Sequence, residues 1–132
     1  MAGSHVERTM KELKKQGFSR TAIVEKYNVH AFRPDGGRGV RQDLFGIVDI
    51  LSLQPGRGFV GIQVCGTDFS EHVKKLTVEK SPECLSWLLT PGGFLELWGW
   101  RKLLVKRGGK AKKWTPRVHI FGLDDFRSAW NG

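Results

Sequence analysis

The chain is poor in cysteine, with only Cys65 and Cys84 among its 132 residues. That count excludes a disulfide framework or a cysteine-built zinc site. At Cys65, inside an apolar segment, a reduced and buried thiol is expected. The four histidines, His5, His30, His72 and His119, are scattered without metal-ligand spacing. No apolar run approaches the roughly 20 residues needed to span a membrane, and the N-terminus lacks the apolar core of a secretory leader. A cytoplasmic protein is expected, with no membrane partner and no small-molecule cofactor. Acidic residues are scarce: 13 Asp plus Glu stand against 22 Lys plus Arg, a formal charge of +9. Such a balance favours polyanionic partners, nucleic acid foremost, met in rapid and salt-sensitive encounters. Repeats and domain linkers are missing as well, so one domain covering residues 1–132 is expected.

What is present reads as alternating helices and strands. Ser4-His5-Val6-Glu7 forms a capping box, Val6, Met10 and Leu13 follow at helical spacing, and Gly17 closes the helix. Residues 18–27 are ambiguous, with Thr21 to Val24 favouring a strand. Residues 33–39 carry turn chemistry and read as a basic loop. Phe45 to Leu53 is nearly unbroken apolar sequence and reads as a strand buried on both faces. Residues 54–58 reverse the chain into a second strand, Phe59 to Cys65. A helix from Glu71 to about Val78 is predicted, then another from Ser81-Pro82 to the Pro91-Gly92-Gly93 stop. Phe94 to Val105 and Trp114 to Leu123 read as strands around a cationic tip, and Asp124 to Trp130 as a closing helix. Trp98 and Trp100 share one strand parity and read as core or dimer-interface residues. The expected fold class is α/β, a mixed central β-sheet flanked by helices.

Asp49 is the residue hardest to explain structurally. A carboxylate between Val48 and Ile50 is costly unless it is neutralised, hydrogen-bonded or bound to metal. Gln63 and Cys65, two apart on the partner strand, share one face. Phosphodiester hydrolysis needs a hard divalent cation, an activated water and charge stabilisation at the departing oxygen. Asp49 is a natural oxygen ligand, Gln63 can add an amide oxygen and Val64 a backbone carbonyl, and Mg²⁺ (or Mn²⁺) tolerates such a sparse set. Glu7 can supply a second carboxylate if the first helix crosses the hairpin. Gln63 can equally satisfy Asp49 as a polar core pair, and Glu7 is accounted for by the capping box. Asp43 reads as a strand-edge hydrogen-bonding group, a supporting partner of Asp49 or a direct ligand. The basic clusters, Arg38 and Arg41 before the hairpin, Arg57 in its turn, and Lys106, Arg107, Lys110, Lys112 and Lys113 at the tip, suit phosphate contacts.

These residues resemble a known family. Gly3-Ser4-His5-Val6-Glu7-Arg8, Val48-Asp49-Ile50-Leu51-Ser52-Leu53 and Gly61-Ile62-Gln63-Val64-Cys65-Gly66 stand in the order and spacing of the PD-(D/E)XK nucleases. The resemblance is to the archaeal-type and phage-type Holliday junction resolvases. Asp43 to Asp49 and Leu95 to Lys102 are similar to a phage subgroup. The resemblance runs from Gly3 to about Lys102 and implies a restriction-endonuclease-like fold. It also implies a Mg²⁺-dependent endonuclease acting on branched or double-stranded DNA, and a homodimer. Glu7, Asp49 and Gln63 match its acidic positions, and Cys65 stands where it carries lysine. Lys75 or Lys74 from the next helix is the candidate replacement, with Lys75 preferred as the catalytic cation and Lys74 as a DNA contact. The alternatives are a DNA-binding member that has lost catalysis, and a nicking or repair nuclease acting on other branched or single-stranded DNA.

Overall fold

The computed structural model describes residues 4–126. Gly3 and the end of the expected closing helix, residues 127–130, lie outside the described residues. Helix α1 (His5–Lys15) begins at Ser4, whose Oγ accepts the Glu7 N–H at 3.1 Å. It ends before Gly17, whose φ of +96° is open to glycine at little cost. Then come β1 (Thr21–Ile23), β2 (Lys26–Phe32), β3 (Arg38–Gln42), β4 (Ile50–Gln54) and β5 (Gly58–Cys65). Helix α2 (Phe69–Lys74) runs into a π-helical turn, Lys75–Glu79, and α3 (Ser81–Leu89) follows with Pro82 in its first turn. Strands β6 (Gly93–Leu104) and β7 (Lys112–Ile120) and a 3₁₀ turn, Leu123–Phe126, complete the described chain.

Five strands form one mixed sheet in the order β1-β4-β5-β6-β7. Only β5 and β6 are parallel, joined by the α2–α3 crossover that a parallel pair requires. Alternation along the strands builds two cores. Ile50, Val60, Ile62, Trp98 and Trp100 face α1 and bury Leu13, with Val6, Met10 and Phe18 around them. On the other face Cys65, Leu95 and Leu97 meet Phe69, Leu76 and Cys84 from the crossover helices, closed by Phe121 and Phe126. The expected α/β class, a mixed sheet flanked by helices, is what the chain forms. Both Trp98 and Trp100 are core residues, and Cys65 and Cys84 are buried free thiols.

Buried Thr9 ties α1 to the sheet: its Oγ1 accepts the Trp100 indole N–H at 2.8 Å. Thr9→Val keeps the volume but strands that N–H in the core. A loss of about 1–3 kcal/mol is expected, read from the urea midpoint at unchanged slope.

Two segments differ from the sequence reading. The run expected as a strand from Phe45 turns sharply instead, and β4 begins only at Ile50. Leu44 and Val48 exchange both backbone hydrogen bonds, at 2.8 and 3.1 Å, across a loop in which Phe45 and Gly46 have φ of +56° and +74°. Ile47 and Val48 are fully buried all the same, so an apolar run alone could not distinguish turn from strand. The basic loop at 33–39 is the tip of a separate two-stranded ribbon, β2–β3, whose second strand the sequence did not announce.

Candidate metal centre

The Leu44–Val48 loop brings its two flanking aspartates together. Asp43 precedes it and Asp49 follows it, and the Gln63 side chain bridges them. Gln63 Nε2 donates to Asp43 Oδ2 at 2.9 Å and to Asp49 Oδ2 at 2.8 Å. Asp49 Oδ2 also accepts the Val64 backbone N–H at 2.8 Å. Lys75, at the start of the π-helical turn, closes the cluster: its Nζ donates to Gln63 Oε1 at 3.2 Å and lies 3.6 Å from Asp43 Oδ2. Asp49 and Gln63 are almost completely buried. Alternation on β5 explains the convergence, since Gln63 and Cys65 project to the α2–α3 side, where the turn carrying Lys75 passes overhead.

A third carboxylate joins them. One oxygen from each of Glu25, Asp43 and Asp49 lies within 4.8 Å of the others. Glu25 follows β1, where its N–H and that of Val24 reach the Asp49 carbonyl, and its carboxylate meets Arg41 at 3.4 Å. The sequence reading missed Glu25. The signal lay in strand pairing: Ile23 opposes Ile50, which puts the residues beyond Ile23 alongside Asp49.

Electrostatics separates the two aspartates. Burial, then the adjoining Asp43, pushes the Asp49 carboxyl up to about 8. Burial also acts to raise Asp43, but hydrogen bonds with Asp49 and Gln63 and the Lys75 ammonium outweigh it and hold that carboxyl below its usual range. The pair thus shares one proton, carried on Asp49, because two adjoining carboxylates cannot both ionise cheaply. A hard divalent cation can take the place of that proton. Three carboxylates plus the amide oxygen of Gln63, once that side chain rotates, form an all-oxygen donor set of the kind such ions prefer. The residues fit a cation of this type.

Glu7 is exposed on α1, the helix covering the opposite sheet face, and is not in the carboxylate group. Val64 presents its N–H to Asp49, which places its backbone beside the carboxylate cluster. Lys74 is exposed, whereas Lys75 turns inward. Arg57 points into the fold, forming an ion pair with buried Glu96 and donating to Gln54 Oε1 at 2.9 Å. Arg38 and Arg41 are exposed on the ribbon. Lys106, Arg107, Lys110, Lys112 and Lys113 are exposed around the β6–β7 hairpin, the last two within β7. An open groove of about 430 Å³ runs past the cluster, lined by Asp43, Lys75, Arg41 and also Lys80.

Farther along, Cys65, Asp68 and His72 form a second group within 4.8 Å. His72 Nδ1 is 3.3 Å from Asp68 Oδ2 and 3.0 Å from the Asp68 carbonyl oxygen, so these groups already satisfy one another. Burial, with Asp68 and Asp49 nearby, pushes the Cys65 thiol up to about 12, which leaves it a poor nucleophile.

No protein-family profile, curated protein or solved structure matches the chain. Among the described residues no helix is long and apolar enough to cross a membrane.

Proposed function

We propose that the protein is a Mg²⁺-dependent DNA endonuclease with a restriction-endonuclease-like fold, cutting branched DNA such as a four-way junction. The observation carrying this reading is the convergence of Asp43, Asp49, Gln63 and Lys75 beside a cationic groove. Asp49, Asp43 and Glu25 would hold the cation, with Gln63 contributing its amide oxygen. When bound, Mg²⁺ (or Mn²⁺) polarises the scissile phosphate and lowers the pKa of an attacking water. Lys75 then serves as a fixed positive charge over the phosphate and its departing oxygen. Lys80 and Arg41 flank the groove and position the backbone without reading sequence. Paired cuts across a two-fold junction need two such sites, which a symmetric homodimer supplies.

The test incubates the protein with a four-way junction and a linear duplex of the same sequence, in Mg²⁺ or EDTA. Metal-dependent nicking that favours the junction is expected; no cleavage with any divalent metal would contradict the proposal. Preference for a flap or gapped substrate would point instead to a nuclease for other branched or single-stranded DNA.

One observation favours a second reading, that of a DNA-binding protein without catalysis. Gln63 Nε2 already donates to both aspartates, so the cluster is satisfied with no cation present. Gln63→Glu separates the readings. For a metal site, ligand charge sets affinity, so this change is expected to tighten Mg²⁺ binding about tenfold. It also lowers the metal-free melting temperature by adding a carboxylate beside two others. Thermal shift against Mg²⁺ concentration measures both effects; a lowered melting temperature with no rescue by Mg²⁺ supports the second reading.

A further inference from the structure

The β2–β3 ribbon is the least explained part of the molecule. Its strands make their substantial contacts with each other, and no residue from 26 to 42 belongs to either core cluster. An isolated two-stranded ribbon is marginal in water, yet this one spends apolar side chains on solvent. Tyr27 is 60% exposed, Val29 55% and Phe32 69%. The aromatic rings are held in place. The Tyr27 phenol lies across Gly39, which at φ +103° has no Cβ to obstruct it, and the Arg38 guanidinium sits 4.8 Å from the Phe32 ring.

Charge and position identify the occupant. The ribbon carries Lys26, Arg33, Arg38 and Arg41 against one acid, Asp35. The same ribbon on a second copy would set like charge against like, whereas a polyanion is attracted. Both ends of the ribbon rise from the carboxylate cluster: Glu25 precedes β2 and Asp43 follows β3. Seven residues of extended chain in β2 reach roughly 20 Å from that point, the width of a DNA duplex.

We infer that the ribbon is a branch-point probe, in which Tyr27 and Phe32 stack on unpaired or unstacked bases while its arginines hold the adjoining phosphates. Stacking of this kind tolerates any base sequence and selects DNA whose helical stack is interrupted. The inference rests on the nuclease reading above and adds how the same site chooses its substrate.

Binding, measured apart from cleavage, tests it. The full chain and the variant Tyr27→Leu/Phe32→Leu are titrated in EDTA against a four-way junction and a linear duplex, by fluorescence anisotropy. The variant is expected to lose about tenfold or more in junction affinity with duplex affinity unchanged. With wild-type protein, 2-aminopurine at the branch point should change its fluorescence on binding, while the same base in mid-arm should not. That second readout stands even if the variant folds poorly. Equal losses on both DNAs would make the ribbon a general groove contact and overturn the inference. So would unchanged affinities, a silent branch-point probe, or loss in the variant of a dimer that the wild-type chain forms by sedimentation, which would make the ribbon a self-association arm. In all these cases the nuclease reading survives. Wild-type protein that binds neither DNA would overturn both.

Discussion

Asp49→Asn is expected to lower Mg²⁺-dependent nicking of a four-way junction by about 100-fold or more while the chain stays folded. Asparagine keeps an oxygen for the Val64 N–H, now at 2.8 Å from Asp49, but removes the charge that a hard cation needs. The same substitution has a pH signature without metal. Asp49 holds its proton to about pH 8 in the fold, against an ordinary value of 3.8. Between those values the folded state binds more protons than the unfolded one, so stability is greatest below the unfolded pKa and falls as pH rises toward 8. Asp43 works in the opposite sense: its lowered pKa gives stability above the ordinary carboxylate range that is lost on acidification. In the asparagine variant the Asp49 slope disappears. The wild-type melting temperature should therefore fall relative to the variant between about pH 5 and 8, and excess Mg²⁺ should abolish the difference in slope. Melting curves at several pH values check the sign; parallel pH profiles in EDTA would contradict the shared-proton account.

The largest stability effect is expected at Arg57, far from the carboxylate cluster. Its guanidinium pairs with Glu96, donates to Gln54 and lies 4.9 Å from the Phe94 ring. Glu96 stands in β6, an interior strand of the sheet, its side chain 5% exposed, and also accepts the Trp98 indole N–H at 2.8 Å. Arg57→Ala leaves that carboxylate buried without its counter-charge, a loss of about 3–5 kcal/mol and a fall of roughly 10 °C or more in melting temperature. Neutralising the orphan should recover much of this: the double variant Arg57→Ala/Glu96→Gln keeps an acceptor for Trp98 and removes the charge. A single variant within 1 °C of wild type would show that the pair contributes little.

The central hairpin was legible because two apolar runs flank the Pro55-Gly56 turn, and strand parity put Gln63 and Cys65 on one face. Burial of the first run on both faces was not met, since Leu51 is half-buried and Leu53 exposed on a strand that alternates. Asp49 stood out because an ionisable group inside an apolar run demands partners, and it has them. Less was visible where neighbours in space are distant in sequence. Glu25 reaches the site through the β1–β4 register, and Asp43 through two positive-φ residues that close the Leu44–Val48 loop. Neither feature has a strong local signature. Glu7 satisfied a capping pattern and a family resemblance at once, but helix α1 packs its apolar stripe on the opposite face of the sheet. Arg57 looked like a phosphate contact because a turn arginine ordinarily faces solvent, and its ion-pair partner Glu96 lies 39 positions away in sequence.

If Glu25, Asp43, Asp49 and Gln63 form a divalent-cation site, the site should take up Mn²⁺ in solution. Titration of the wild-type chain with Mn²⁺, followed by electron paramagnetic resonance with and without a four-way junction, decides it. Saturable Mn²⁺ binding is expected that Mg²⁺ displaces, that weakens as pH falls below about 8 because the ion competes with the Asp49 proton, and that Asp49→Asn abolishes. Free Mn²⁺ throughout, with the junction present and at pH 8, would contradict it and leave the cluster a self-satisfied polar core.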